Sequence, residues 1–236
     1  TLLLTSSSTM SINPHLNAKL GFDPIKSFTP IGFIGYSPNV LVINPTLPFK
    51  NSSELIAAAK AKPNFYTFAS NGSGTLSHLT GELYQQASGV EFLHVPYKGA
   101  APAVVDVAGG QVSILFAAYA SVGPMVKSGK LKALGVTSTK RIKIAPELPT
   151  LAESGLPGFE SNQWWGLFGP ADMPPEIVTR LNLELNKALK SPELRKRFIE
   201  EGIEVGGGSP GDLAAYLQLD FAKWGKVIKA GNITSN

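Results

Sequence analysis

The sequence predicts an α/β fold in which a sheet of short strands is covered by helices. Three observations carry this. Short apolar runs alternate with helical segments from Val40 to about residue 140. Gly and Pro, 24 and 18 of the 236 residues, are spread along the chain as turn signals. The two ends hold too few strands to close on their own, so they are expected to join each other in a second body.

The elements follow in order. Leu2–Leu4 reads as a buried strand already under way at the first residue, followed by the polar run Thr5–Thr9. Val40–Ile43 is a β-branched strand ending at Asn44-Pro45. Ser52 or Ser53 can cap a helix with Glu54 in its first turn, stopped before Pro63. Phe65–Ala69 is a strand, Ser70–Thr75 a loop, and Leu76 to about Ser88 a helix stopped by Gly89. Glu91–Val95 and Val112–Phe116 are strands. Between them a helix enters through Pro102, where the first turn tolerates proline, and ends at Gly109-Gly110. Ala117–Ser121 reads as a loop, then a short helix reaches Lys127 and Leu131–Thr137 is a strand. This alternation argues for a parallel sheet with helices on both faces.

Beyond Lys140 the character changes. A Pro/Gly-rich stretch leads to an aromatic strand, Gln163–Phe168. Pro174-Pro175, Pro192 and Pro210 each open a helix, and Gly206–Gly208 reads as a flexible connection. The expected organisation is one lobe of residues 41–160 and another built from 1–40 plus 161–236, with the chain crossing twice.

Composition excludes several classes. The chain has no cysteine, which removes disulfides, thiolate nucleophiles, Cys-ligated zinc and iron–sulfur clusters. No apolar run approaches the roughly 18 residues of a membrane span. The net charge of +4 is mild, and the basic clusters at Lys140–Lys143 and Arg195–Arg197 lack interleaved aromatics, so no nucleic-acid partner is expected. No signal peptide is visible. The three histidines, His15, His78 and His94, lack further ligands at metal spacing, and Glu82 four residues after His78 is too little for a site. There is no Gly-x-Ser-x-Gly elbow, no P-loop and no complete dinucleotide fingerprint. No catalytic residue, metal or cofactor is expected.

The candidate chemistry lies in loops that follow strand ends and precede helices: Thr5–Thr9, Ser70–Thr75, Lys98–Ala101 and Ala117–Ser121. Such loops offer backbone N–H groups at helix N-termini, which favour an anion. Thr5, Ser7 and Ser8 belong to the first of them. Ser73, Gly74 and Thr75, with His78 close behind, belong to the second. Lys98, Gly99 and Ala100 form the third, and Ala118 and Tyr119 the fourth. Ordinary caps and turns would look the same singly; four together favour an anion-accepting cleft. In Trp164-Trp165, core packing and ligand stacking are both open, with Trp165 the candidate for the cleft.

Several segments resemble one known family. Ser70-Asn71-Gly72-Ser73-Gly74-Thr75-Leu76-Ser77-His78-Leu79 is similar to a signature of the Bug-type solute-binding proteins, the extracytoplasmic receptors of tripartite tricarboxylate transporters. So are His94-Val95-Pro96-Tyr97-Lys98-Gly99, Gly109–Val112, Gly129–Leu134, Pro149–Gly155 and Trp165-Gly166-Leu167, in the family's order and over essentially the whole chain. The resemblance implies a type II periplasmic-binding-protein-like fold with a ligand cleft between two lobes. It implies a periplasmic, non-catalytic receptor. Its ligand would be a small carboxylate: an organic di- or tricarboxylate, an amino acid or an aromatic acid. Its partners would be the membrane components of a tripartite transporter.

Two departures stand out. The family begins earlier, with a strand and a Gly-rich loop, so the resemblance implies that the first lobe is N-terminally incomplete here. After Val112–Phe116 the family carries Asp, whereas this chain has Ala117-Ala118-Tyr119, which favours a less polar distal ligand end against Tyr119. An enzyme on the same fold is one rival; the effector-sensing domain of a transcription regulator is another. The porphyrin-precursor deaminases, which attach their cofactor through a Cys, are excluded.

Overall fold

The computed structural model describes residues 1–17 and 19–234. Its elements are β1 (Leu3–Ser6), a π-helix (Ser8–Ile12), α1 (Asn13–Leu16), β2 (Phe28–Ile43), α2 (Ser52–Ala61), β3 (Thr67–Ser70), α3 (Leu76–Ser88), β4 (Leu93–Pro96), α4 (Ala100–Ala108), β5 (Ile114–Ala118), α5 (Tyr119–Lys127), β6 (Lys132–Val136), β7 (Asn162–Pro170), α6 (Pro175–Ala188), α7 (Pro192–Glu200), β8 (Glu204–Val205) and α8 (Pro210–Ala230). They fall into two compact units: residues 1–37 with 163–234, and residues 38–162.

The second unit is a five-stranded sheet with helices on both faces. β3 pairs with β4 and β5 in parallel, as the alternation leads one to expect. The C-terminal half of β2, however, runs antiparallel to both β5 and β6, so the sheet is mixed. Strand alternation divides the core. Leu41, Ile43, Phe68, Ile114 and Phe116 point to one face, where Leu55 and Ala59 of α2 and Tyr84 of α3 cover them. Val40, Val42, Ala69, Leu115 and Ala117 point to the other, under Val104 and Val107 of α4 and Val122 of α5. This two-faced burial explains why Val40–Ile43 is apolar at every position. β5 begins two residues later than expected and passes directly into α5, so the expected loop at Ala117–Ser121 is instead a strand end and a helix start.

The first unit carries β7 between antiparallel β1 and the N-terminal half of β2, with β8 antiparallel to that half of β2. Met10, Trp164, Phe168, Leu213 and Leu217 form its core. A capping box at Ser209 and Asp212 starts α8, whose Leu213 and Leu217 reach that core. Two expectations need correction. Leu2 and Leu4 are 47% and 63% exposed, because β1 is an edge strand rather than a buried one. Gly206 and Gly207 donate to the carbonyls of Ile34 and Phe33, each at 2.9 Å, extending β8 along β2. Gly206 is not a flexible connection: a Cβ there would lie 2.9 Å from the amide nitrogen of Gly35.

Candidate functional site

Because β3, β4 and β5 are parallel, Ser70, Pro96 and Ala118 end at the same edge of the second unit's sheet. Helices α3, α4 and α5 start there, with Thr75, Gly99 and Ala118 as their N-cap residues. None of the three has an acidic residue in its first turn. The other four helices of comparable length each do: Glu54 in α2, Glu176 in α6, Glu193 in α7 and Asp212 in α8. An acid at that position neutralises the positive end of the helix dipole. The helices at the strand ends are the ones left positive.

The loop from Asn71 to Thr75 is held from within. The Thr75 hydroxyl donates to the Gly72 carbonyl at 2.7 Å and accepts from the His78 amide at 3.4 Å. Gly74 donates its N–H to Nδ1 of His78 at 3.1 Å, and Gly72 donates to Oγ of Ser70 at 3.2 Å. Gly72 and Gly74 have φ of 135° and 73°, which only glycine adopts readily. The neighbouring loop is tied on: Tyr97 donates to the Ser70 carbonyl at 3.0 Å, and Gly99 to the Asn71 carbonyl at 3.1 Å. Ser73, Gly74, Thr75 and His78 are thus brought together with Lys98, Gly99 and Ala100. Lys98 is exposed. Ser77, at the start of α3, donates to the Phe116 carbonyl, which fixes that helix start against β5.

Ala118 lies at the same edge, but the Tyr119 side chain does not project there. It is 6% exposed, belongs to the apolar layer with Val104 and Val122, and lies over Gly123, where a Cβ would come within 2.7 Å of the ring. Burial, and next the Glu147 carboxylate, raise its phenol pKa.

In the first unit, pairing puts Ser6 opposite Trp165 and Thr5 opposite Gly166. Trp165 is half-buried, and Gln163, two residues earlier on the same face, accepts from the Ser8 hydroxyl at 3.3 Å. Thr5 is buried with the opposite face, and Ser7 is wholly buried with no hydrogen-bond partner for its hydroxyl. Trp164 is core: its indole N–H donates to Oδ2 of Asp220 at 2.7 Å.

Sequence reasoning missed His94. Its ring stacks on His78 with centroids 3.9 Å apart and planes 6° apart, and on Phe68 at 4.6 Å. Its Nε2 lies 2.7 Å from Oγ of Ser70. Burial, then the repulsion it would meet from a protonated His78, lower its pKa to about 4, against a partial upward pull from Glu82. The only available signal was its place at the head of the His94–Gly99 signature.

Tyr97 is also anchored. Its hydroxyl donates to Oδ2 of Asp106 at 2.7 Å, and desolvation with that bond pushes its pKa up to about 12. Among the described residues, no group of three or more His, Asp or Glu side chains could hold a metal ion. No described helix is long and apolar enough to cross a membrane.

Residues 1–233 match the family described as "Tripartite tricarboxylate transporter family receptor". Protein BugT of Bordetella pertussis is 33% identical over 230 residues, covering 97% of this chain and 71% of that protein. Among solved structures, an R. palustris protein with adipate is 34% identical with a TM-score of 0.81, over 99% of this chain and 78% of the other. MatC from Rhodopseudomonas palustris with bound malate is 29% identical with a TM-score of 0.76, over 97% of this chain and 79% of the other.

Proposed function

Since the chain belongs to the tripartite tricarboxylate transporter receptor family, we propose that it is a periplasmic receptor that captures a small carboxylate and delivers it to the membrane components of a tripartite transporter. Residues 41–160 form the lobe that carries its anion loops. The observation that supports this reading is the distribution of first-turn acids. Helices α3, α4 and α5 start at one sheet edge without an acid, whereas the other four long helices each have one. A carboxylate supplies the negative charge those N-termini lack, and backbone N–H groups bind it without a cationic partner. The relatives solved with adipate and malate favour a dicarboxylate.

Calorimetry of the protein against adipate, malate and the neutral diamide of adipate tests this. Binding of at least one dicarboxylate and none of the diamide is expected. Silence across a wider panel of mono-, di- and tricarboxylates, with no rise in melting temperature, would remove the proposal.

A further inference from the structure

The histidine pair behind the Gly72–Thr75 loop has a geometry that goes beyond packing. A backbone N–H only donates, so Nδ1 of His78, 3.1 Å from the Gly74 nitrogen, must accept. The ring is therefore neutral, with its proton on Nε2, which lies 3.5 Å from Oε1 of Glu82. The loop's other glycine amide, Gly72, bonds to Ser70, and Ser70 bonds to His94. The two imidazoles are stacked face to face, and His78 is only 7% exposed. Two amides of the loop thus hang, directly or through one hydroxyl, on two rings that support each other.

We propose that His78 is a positioning residue for the anion loop: its neutral, Nδ1-accepting ring holds Gly74 and the loop in their carboxylate-accepting shape, and a second proton on the ring releases them. This rests on the carboxylate reading above. The titratable groups facing the ring are Glu82 from its own helix and His94 from β4; β3 contributes Phe68, which is neutral. Once protonated, Nδ1–H would face the Gly74 N–H, two donors with no acceptor between them, and the loop must move. A simple attraction between a cationic His78 and an anion predicts the opposite sign, with tighter binding in acid.

The test has two arms. In the first, nitrogen NMR of the ligand-free full chain reads the His78 tautomer at about pH 8, and the Gly74 amide shift is followed down to about pH 5.5 alongside the ring's own nitrogen shifts. An unprotonated Nδ1, and a Gly74 amide that moves with the ring's titration, are expected. A proton on Nδ1 at about pH 8, or an indifferent Gly74 amide, overturns the proposal without any ligand. In the second arm, adipate affinity is measured at both pH values for the wild type, His78→Asn and His78→Ala, with melts confirming that each folds. Asn places a carbonyl oxygen near the Nδ1 position and cannot titrate. The wild type should lose about tenfold more affinity than His78→Asn on acidification, the scale of one lost hydrogen bond. His78→Ala should bind weakly at both pH values. Wild-type affinity that rises in acid, or an Asn variant with the wild-type profile, overturns the proposal. Absence of adipate binding even at about pH 8 counts against the carboxylate reading instead, and the NMR arm still decides the loop.

Discussion

The indole of Trp164 and the carboxylate of Asp220 meet inside the first unit at 2.7 Å, and Lys223 reaches the other carboxylate oxygen at 2.8 Å. Asp220 is 3% exposed, so the pair satisfies two groups that could not reach water. Asp220→Ala leaves the indole N–H buried without an acceptor and is expected to cost about 2–4 kcal/mol. Denaturant unfolding of Asp220→Ala beside Trp164→Phe checks this. Removing the donor instead should cost less than removing the acceptor, and equal costs would show that the bond contributes little.

Ala101→Asp separates stability from binding. Ala101 is exposed in the first turn of α4, which has no acid and no side-chain cap. A carboxylate there should stabilise the helix by about 0.3–1 kcal/mol while competing with the ligand for the same N-terminus. We expect a slightly higher melting temperature with dicarboxylate affinity lowered by about tenfold or more. Unchanged affinity would mean that the α4 terminus does not face the ligand.

Thr75→Ala removes the helix cap and the bond that closes the loop on Gly72. The hydroxyl proton is already committed to that carbonyl, so the residue acts by shaping the loop. Stability should fall by about 0.5–2 kcal/mol. Thr75→Ser keeps the hydroxyl and should restore both stability and binding. A serine variant as poor as the alanine one would point to the methyl group instead.

Stability should depend on His94 in mild acid. Its folded pKa of about 4 lies below the ordinary value of about 6.5, so the unfolded chain binds the proton more readily. The contribution is fully present above about pH 6.5 and is lost as pH falls through about 4. Because the ring is only partly buried, the loss is expected to be about 1–2 kcal/mol. Urea unfolding across this range should show a shallower pH slope in His94→Gln than in the wild type. Parallel slopes would contradict it.

The parts of the fold legible in the sequence are those governed by local chemistry. The C-terminal helices begin at Pro175, Pro192 and Pro210, close to or at the prolines that announce them. Helix α3 ends at Gly89 in the left-handed conformation its glycine suggested. What escaped is non-local. β2 extends over 16 residues although Pro30 and Pro38 interrupt its pattern, and the pairing of Gly35 with Val205 joins residues far apart in the chain. Alternation along β7 buries Trp164 and leaves Trp165 on the other face, a choice the bare Trp-Trp pair left open. The His78–His94 stack depends on which strand lies under α3, and no spacing within the sequence encodes that.

The division of the chain also sets an order of assembly. The second unit is one uninterrupted stretch, residues 38–162, whereas the first needs residues 1–37 to wait for 163–234. In refolding, then, the segment bearing the glycine loops can close within one stretch of chain, whereas Leu3–Ser6 of β1 must find β7 from the far side of that segment. On refolding from urea, pulse-labelled hydrogen exchange should show the amides of residues 38–162 protected before those of residues 1–37. Equal protection of both segments would contradict that order.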